Sequence, residues 1–417
     1  MQLKTILNSV EKQSGFVYGE AKFVDVKGTK QLHVNLKPHA RSRPVCSQCG
    51  CKGPVYDTLK QRAFEFVPMW GIPVFFLYRM RRVKCGRCGV KVEKVPWTDG
   101  KHRSTLSYRV FLARWAKRLS WKETAEIFGT SWNTVYRCVR WVVAFGVVNR
   151  DLTGLEAIGV DEIQYRRGHQ YLTLVYQIDE GSRRLLHVAR NRTEDSLRSF
   201  FRVTPDSIRE GIRFVCSDMW RGYLNVIAEQ CSTAVHVLDR FHVMQKFNQR
   251  LSEVRAAEAK QLKADGYEPV LKNSRWLLLK RPENLTEAQA VKLSDLLQYN
   301  LRSVRAYLMR EDFQRFWEYR SAHWAGRFLD EWCTRAMRSR IEPMKKMAKT
   351  LRSHRQLLVN WFRAKGEFSS GCVEGMNGKA KLAMKKAYGF KSYETIETAL
   401  YHQLGNLPEP KTNHKFC

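Results

Sequence analysis

Two sets of residues in this chain have the types and spacing to hold metal ions. Cys46-Ser47-Gln48-Cys49 and Cys85-Gly86-Arg87-Cys88 are matched C-x-x-C pairs, each followed by a glycine, Gly50 and Gly89. Such a turn presents two thiolates at the bite a tetrahedral Zn²⁺ takes, and two turns complete a four-sulfur shell. Glycine after each pair lets the backbone fold back round the ion. Cys51 competes with Cys49 for one place, because the run reads Cys49-Gly50-Cys51. Four protein ligands leave no open position, so the expected role of the zinc is structural. Unligated thiols are the alternative, and they leave two matched pairs without a reason. Arg81, Arg82, Lys84 and Arg87 surround the second pair, so DNA contact by this finger is also expected.

The second set is acidic. Asp161 interrupts an apolar run, residues 155–163, that reads as a strand buried on both faces. A carboxylate there is costly unless a cation or hydrogen bonds offset it. Asp218 follows a short apolar strand, 212–216, at the carboxyl end where ligand sites of open α/β sheets gather. Two acids in one pocket raise each other's pKa unless a divalent ion balances them, and Mg²⁺ prefers oxygen ligands. Glu374 is the candidate third acid, with Glu367 and Glu394 as alternatives. After Ser369 and Ser370 as caps, Glu374, Asn377, Gly378, Lys381 and Lys385 are expected to share one helical face. Gly375 and Gly378 each weaken a helix by about 1 kcal/mol, which points to close approach of DNA or the sheet. A first-turn acid that merely complements the helix dipole is the plainer reading of Glu374.

What must position these acids is a sheet. Strands are expected at 155–163, 171–178 and 184–189 as an antiparallel meander, followed by a helix over 193–203. Strand 212–216, a helix from Met219 or Trp220, and strand 233–238 complete the series, which ends at Asp239. This order is that of a ribonuclease-H-like core, where the first and fourth strands are neighbours. Asp161 and Asp218 would therefore meet. Upstream, residues 1–40 read as a leader with short strands, and a hairpin (64–67 with 74–78) fills the gap between the cysteine pairs. Residues 240–364 are helix-patterned, and a last segment, 368–405, reads as two helices broken at Tyr388-Gly389-Phe390.

Between finger and sheet lies a helix-turn-helix pattern. Ser120-Trp121-Lys122-Glu123 opens a helix with a capping box, and Gly129 makes the turn. Ser131 caps the next helix, with Val135, Val139 and Val142 on one face and Asn133, Tyr136, Arg137 and Arg140 on the other. Asn and Arg read adenine and guanine edges bidentately, and a recognition helix presents them near its start. Arg109, Arg114, Lys117 and Arg118 add to the local charge. A three-helix bundle with solvated charges is the alternative.

Composition agrees with a polyanionic partner. The 417 residues carry a formal net charge of +33 and a pI near 9.9, which draws a surface to phosphates. An RNA-coating protein would show the same charge. With 44% hydrophobic residues the chain can bury more than one core. The start lacks the apolar stretch of a signal peptide, and apolar runs such as 141–148 fall short of the ~20 residues of a membrane span. The expected compartment is the cytoplasm, at the nucleoid, where cysteine pairs bind zinc more often than they form disulfides.

Taken together, Gly159-Val160-Asp161-Glu162, Ser217-Asp218-Met219-Trp220, Leu238-Asp239-Arg240-Phe241-His242-Val243 and Glu374 with Asn377 and Lys381 resemble the ISL-three family of bacterial insertion-sequence transposases. The finger, the helix-turn-helix and the terminal Asn413-His414-Lys415-Phe416-Cys417 are also similar, so the resemblance covers nearly the whole chain. It implies that Asp161, Asp218 and Glu374 form the acidic triad of a DDE transposase with Mg²⁺ or Mn²⁺. It further implies that His242, in a motif similar to C/D-x-x-H, orients substrate or the neighbouring acids. A helix-start histidine packed on the sheet edge is the alternative. The long stretch before Glu374 resembles an all-α insertion, whose arginines (Arg302, Arg305, Arg310, Arg315, Arg320, Arg335) would face flanking DNA, a partner subunit or solvent.

The fold class expected is multidomain α+β. A zinc finger (1–100) and a helix-turn-helix (101–150) precede a ribonuclease-H-like core (151–245 and 366–405) interrupted by an all-α insertion (246–365). The implied partners are double-stranded DNA, both transposon-end inverted repeats and target, and further copies of the chain as a homodimer or larger assembly. The implied DNA-binding residues are Asn133, Arg137, Arg140, Lys381 and Lys385. A non-cleaving DNA-binding derivative is the second reading, and a nuclease or resolvase of the same fold the third.

Overall fold

The computed structural model describes residues 2–364, 371–387, 389–390 and 392–415. By contact the chain divides into two units, Met1–Asp151 with Ala383–Cys417, and Leu152–Leu382.

Turn chemistry shapes the first unit. A short helix α1 (Leu3–Val10) precedes β1 (Phe16–Val26) and β2 (Thr29–Pro38), joined through Lys27 and Gly28 at φ 54° and 78°. Two positive-φ residues at a two-residue turn give the twist that suits a hairpin. Trp70 and Gly71, at φ 53° and 77°, do the same between β3 (Val55–Met69) and β4 (Ile72–Cys85). A last strand, β5 (Gly89–Val92), pairs with β4, and the sheet order is β1-β2-β4-β3. Phe64, Phe66, Phe76, Tyr78 and Trp97 are buried at its centre. The expected leader of short strands is thus two strands of a five-stranded sheet, 11 and 10 residues long.

Three helices follow, α2 (Leu106–Arg118), α3 (Trp121–Ile127) and α4 (Trp132–Asn149). Ser120 and Glu123 form the expected capping box, Gly129 turns at φ +62°, and the Ser131 side chain caps α4 by accepting from the Thr134 amide. Val135, Val139 and Val142 are buried as expected. Arg109 corrects the expected basic surface: it is buried, paired with Asp99 and stacked 4.1 Å from the Trp141 ring centroid.

The second unit opens with β6 (Ala157–Arg166), β7 (Gln170–Asp179) and β8 (Ser182–Arg190), an antiparallel meander. Helices α5 (Glu194–Val203) and α6 (Asp206–Glu210) lead to β9 (Phe214–Ser217), and α7 (Arg221–Gln230) leads to β10 (Val235–Leu238). The order β10-β9-β6-β7-β8, with β9 and β10 parallel to β6 and to each other, is the ribonuclease-H-like arrangement. Leu197, Phe200, Tyr223 and Val226 from α5 and α7 bury one face of this sheet.

From β10 the chain enters a helical stretch. It comprises α8 (Arg240–Ala264), α9 (Arg275–Leu279), α10 (Glu287–Leu297), α11 (Arg302–Gln314), α12 (Ala322–Arg338), α13 (Glu342–Ser353) and α14 (Arg355–Arg363). Phe247, Phe313, Phe316 and Trp332 form its aromatic core, which runs on into Met219 and Leu238 of the sheet. Asn360 fixes α14 to the sheet edge by donating to the His236 carbonyl at 2.9 Å. Arg310 leaves the expected arginine stripe: it is buried, paired with Glu311, and donates to Asn248 and the Leu279 carbonyl. The other five of that stripe are exposed.

Two helices complete the chain, α15 (Gly371–Lys386) and α16 (Tyr393–Leu404). The unit division falls inside α15, after Leu382. The reason is local packing in the first unit: Gln403 of α16 donates to the Ala116 and Lys117 carbonyls, and Glu409 pairs with Arg114 at 2.7 Å. The expected caps Ser369 and Ser370, the alternative acid Glu367, the break residue Tyr388 and the terminal Phe416 and Cys417 lie outside the described residues. Among the described residues no helix is long and apolar enough to cross a membrane.

Candidate active site

Strand register brings the acids together. In the parallel strands Gly159 is level with Cys216, and Cys216 with Val237. Side chains two residues apart share a face of a strand. Two residues beyond that row stand Asp161, in the middle of β6, and Asp218 and Asp239, each just past the carboxyl end of β9 and β10. All three are buried, so each needs a partner.

The partners are specific. Asp218 accepts from the Trp220 amide at 2.9 Å, and its other oxygen pairs with Arg192. The Arg192 guanidinium also holds Glu162 at 3.0 Å and lies 5.2 Å from the Trp220 ring centroid. Asp161 accepts from the Glu162 amide at 2.8 Å and from Asn377 Nδ2 at 2.5 Å. His242, on the first turn of α8, places Nε2 at 3.6 Å from both Asp161 and Asp239. Asp239 caps α8 through the Phe241 amide.

Charge follows from this crowding. Burial lowers the His242 pKa, but its hydrogen bond to Asp161 and the charges of Asp239, Asp161 and Asp218 win, raising it to about 9. The neighbouring acids thus favour the protonated ring, and the ring stands beside Asp161 and Asp239. Burial, then the Asp218 charge, raises Glu162 to about 7, against the pull of Arg192. Burial pushes the Tyr176 hydroxyl well above its ordinary value. That hydroxyl donates to Asn377 Oδ1 at 2.7 Å, fixing the amide that points at Asp161.

Helix α15 carries Glu374 on its first turn, three residues before Asn377. The helix is seated by Val373: a Cβ on Gly159 would come within 2.4 Å of its Cγ2. The sheet therefore approaches at Gly159 and not at Gly375 or Gly378, which are exposed and where a Cβ would meet nothing within 4 Å among the described residues. Gly159→Ala should push α15 from β6 and lower the melting temperature, with an overpacking cost of about 1–3 kcal/mol. An unchanged melting curve by circular dichroism would contradict this seating. Asn377 lies at the inner edge of the expected shared face. It is buried, while Glu374, Gly378, Lys381 and Lys385 are exposed. Glu374 makes no hydrogen bond or ion pair with Asp161 or Asp218 among the described residues. The alternative acid Glu394 belongs to the other unit.

The cysteine pairs do converge. The Sγ atoms of Cys46, Cys49, Cys85 and Cys88 lie within 4.8 Å of one another, a group no other described residues match. Tetrahedral Zn–S bonds of ~2.3 Å would set sulfurs about 3.8 Å apart, so the donor set fits. Cys49 rather than Cys51 belongs to it; Cys51 instead offers its carbonyl to the Cys46 amide at 2.8 Å. Gly50 and Gly89 adopt φ +74° and +71°, as the knuckle requires. Of the four cations round the second knuckle, Arg81 is buried against Glu93, Arg82 pairs with Asp57 at the surface, and Lys84 and Arg87 are exposed.

On α4, Asn133, Arg137 and Arg140 are exposed, while Tyr136 is half-buried against Trp121. Sequence reasoning missed Arg192 as a site residue, and quoted Glu162 and Asp239 without giving either a role.

Comparison with known proteins agrees with this geometry. Residues 158–400 match a family model described as transposase, and residues 93–140 match the helix-turn-helix domain of transposase family ISL3. The chain is 28% identical over 369 residues to the transposase for insertion sequence element IS1001 of Bordetella parapertussis, covering 88% of this chain and 89% of that protein. It is 28% identical over 409 residues to the transposase for insertion sequence element IS1557 of Mycobacterium tuberculosis (strain CDC 1551 / Oshkosh), covering 91% and 90%. With more than half its length inside the transposase model, the chain belongs to transposase family ISL3.

Proposed function

We propose that this chain cuts DNA at the ends of its own insertion sequence and joins those ends to a target. The observation that carries the reading is the buried row Asp161, Asp218 and Asp239, with α15 tied to Asp161 through Asn377. Asp161, Asp218 and Glu374 would hold the divalent ions, Mg²⁺ or Mn²⁺. Buried carboxylates are the oxygen donors such hard ions take. When bound, a metal pair supplies charge for the attacking and leaving oxygens of an in-line displacement. Asn377 orients the Asp161 carboxylate, and His242 and Arg192 balance the negative charge round it. The pocket serves water attack first and then attack by the freed 3′-hydroxyl on target DNA.

The domain reading is a finger (1–100) with structural Zn²⁺ on Cys46, Cys49, Cys85 and Cys88, and a helix-turn-helix (101–150) that reads the terminal repeats. Asn133, Arg137 and Arg140 would meet base edges, and Lys381 and Lys385 phosphates. The catalytic core is 151–245 with 366–405, and 246–365 is its all-α insertion. Joining two ends requires at least two copies, acting on chromosomal DNA in the cytoplasm.

The test is purified chain on DNA bearing the inverted repeats that flank its gene, with Mn²⁺. Expected are nicks at the repeat boundary and joined products, both lost in Glu374→Gln and retained in Glu394→Gln. Tight end binding without any nicking by the unaltered chain would favour the second reading, a DNA-binding derivative.

A further inference from the structure

Beside the first cysteine knuckle lies a cavity of about 580 Å³, a size that accommodates a small ligand. Phe16 and the buried Arg81 form part of its lining, and Arg41, Arg43, Lys52 and Lys94 line it as exposed cations. The lining acid, Glu93, is consumed: it accepts from Arg81 and, at 2.6 Å, from the Tyr78 hydroxyl. None of the four exposed cations has an ion-pair partner among the described residues. The wall is built, not loose. Arg81 Nη1 donates to the Ser42 carbonyl at 3.2 Å, Val45 bridges Lys52, and Lys94 donates its amide to Val45. Cys46 follows Val45 directly, so the cysteine cluster anchors this wall.

We propose that this cavity binds one unpaired nucleotide of a DNA strand, its phosphates on the exposed cations and its base against Phe16. A duplex is convex and keeps its bases stacked inside, so it can touch such a rim but cannot enter. An unpaired base presents a π-face, which an aromatic ring and a guanidinium accept whatever the base. Arg81 already lies 5.9 Å from the Phe16 ring centroid, so both groups stand together. The reading rests on the proposed DNA cleavage, which leaves strand ends to be held.

The test measures fluorescence anisotropy of the full chain with three probes: a thymidine dodecamer, an abasic dodecamer and a duplex without unpaired bases. The unaltered chain should prefer the thymidine strand over the abasic one about tenfold. Phe16→Leu, which keeps an apolar side chain against Tyr78 and Trp97, should erase that preference with an unchanged melting curve. Arg43→Ser with Lys94→Ser should weaken both single strands and flatten their salt dependence by a slope of about one, at ~0.7 per phosphate. Duplex binding should move less than twofold in each. No preference for bases in the unaltered chain, or a preference that survives Phe16→Leu, overturns the cavity. So does duplex binding that falls in step. Failure of the cleavage reading shows elsewhere, as absence of nicking by a chain whose strand preference is intact.

Discussion

Replacing Asp161 by Asn should reduce strand cleavage by about a thousandfold or more while leaving binding to the element's ends within twofold. The change is nearly isosteric, and the new amide oxygen can still accept from Asn377. What is lost is one negative charge in a cluster where His242 and Arg192 already balance part of the rest. A thousandfold corresponds to about 4 kcal/mol of barrier, at 1.36 kcal/mol per decade. Binding is spared because Asn133, Arg137 and Arg140 lie in the other unit. The measurement is single-turnover nicking beside a gel-shift titration, with isothermal titration of Mn²⁺ as a readout independent of activity. Mn²⁺ affinity should fall as well. Cleavage within tenfold of the unaltered chain, at unchanged Mn²⁺ affinity, would remove Asp161 from the metal site.

Two of the three acids in the row, Asp161 and Asp218, were legible because strands announce themselves by short apolar runs, and an acid inside or at the end of one is conspicuous. The expected strands 171–178 and 184–189 fall within β7 and β8. Arg192 was not legible, since its partners Glu162 and Asp218 are 30 and 26 positions away and it sits in a turn without periodicity. Counting charge misplaced Arg109 and Arg310 for a related reason. A guanidinium with a carboxylate or carbonyls to satisfy it can be buried, and tertiary packing alone decides which arginines are. Glycine was legible only in part: the sheet does not approach Gly375 or Gly378, on the exposed face of α15, while Gly159, inside an apolar strand, is where Val373 needs the space. The third acid is the limit of this reasoning, because a glutamate on a first helical turn has the same sequence pattern whether it binds metal or complements a dipole.

Replacing Cys85 by Ser should lower zinc from about one ion per chain to nearly none and unfold part of the first unit. Cys85 ends β4 and Cys88 stands before β5, so one half of the cluster closes that hairpin. The other half, Cys46, bridges Glu93, which holds Arg81 and Tyr78 in the core. Apparent zinc binding in finger peptides is about 10–16 kcal/mol, all of it folding free energy there. Here β3 and β4 also pair over many residues through their own backbones, so the loss should be smaller. At about 2–4 °C per kcal/mol for domains of this size, a shift of at least about 10 °C in the first melting transition is expected. The second transition, belonging to Leu152–Leu382, should stay in place, because none of the four cysteines lies there. Cys51→Ser is the internal control, expected to keep both zinc and stability. Zinc retained in the Cys85 variant, or lost in the Cys51 variant, would mean that the ligand set is wrong.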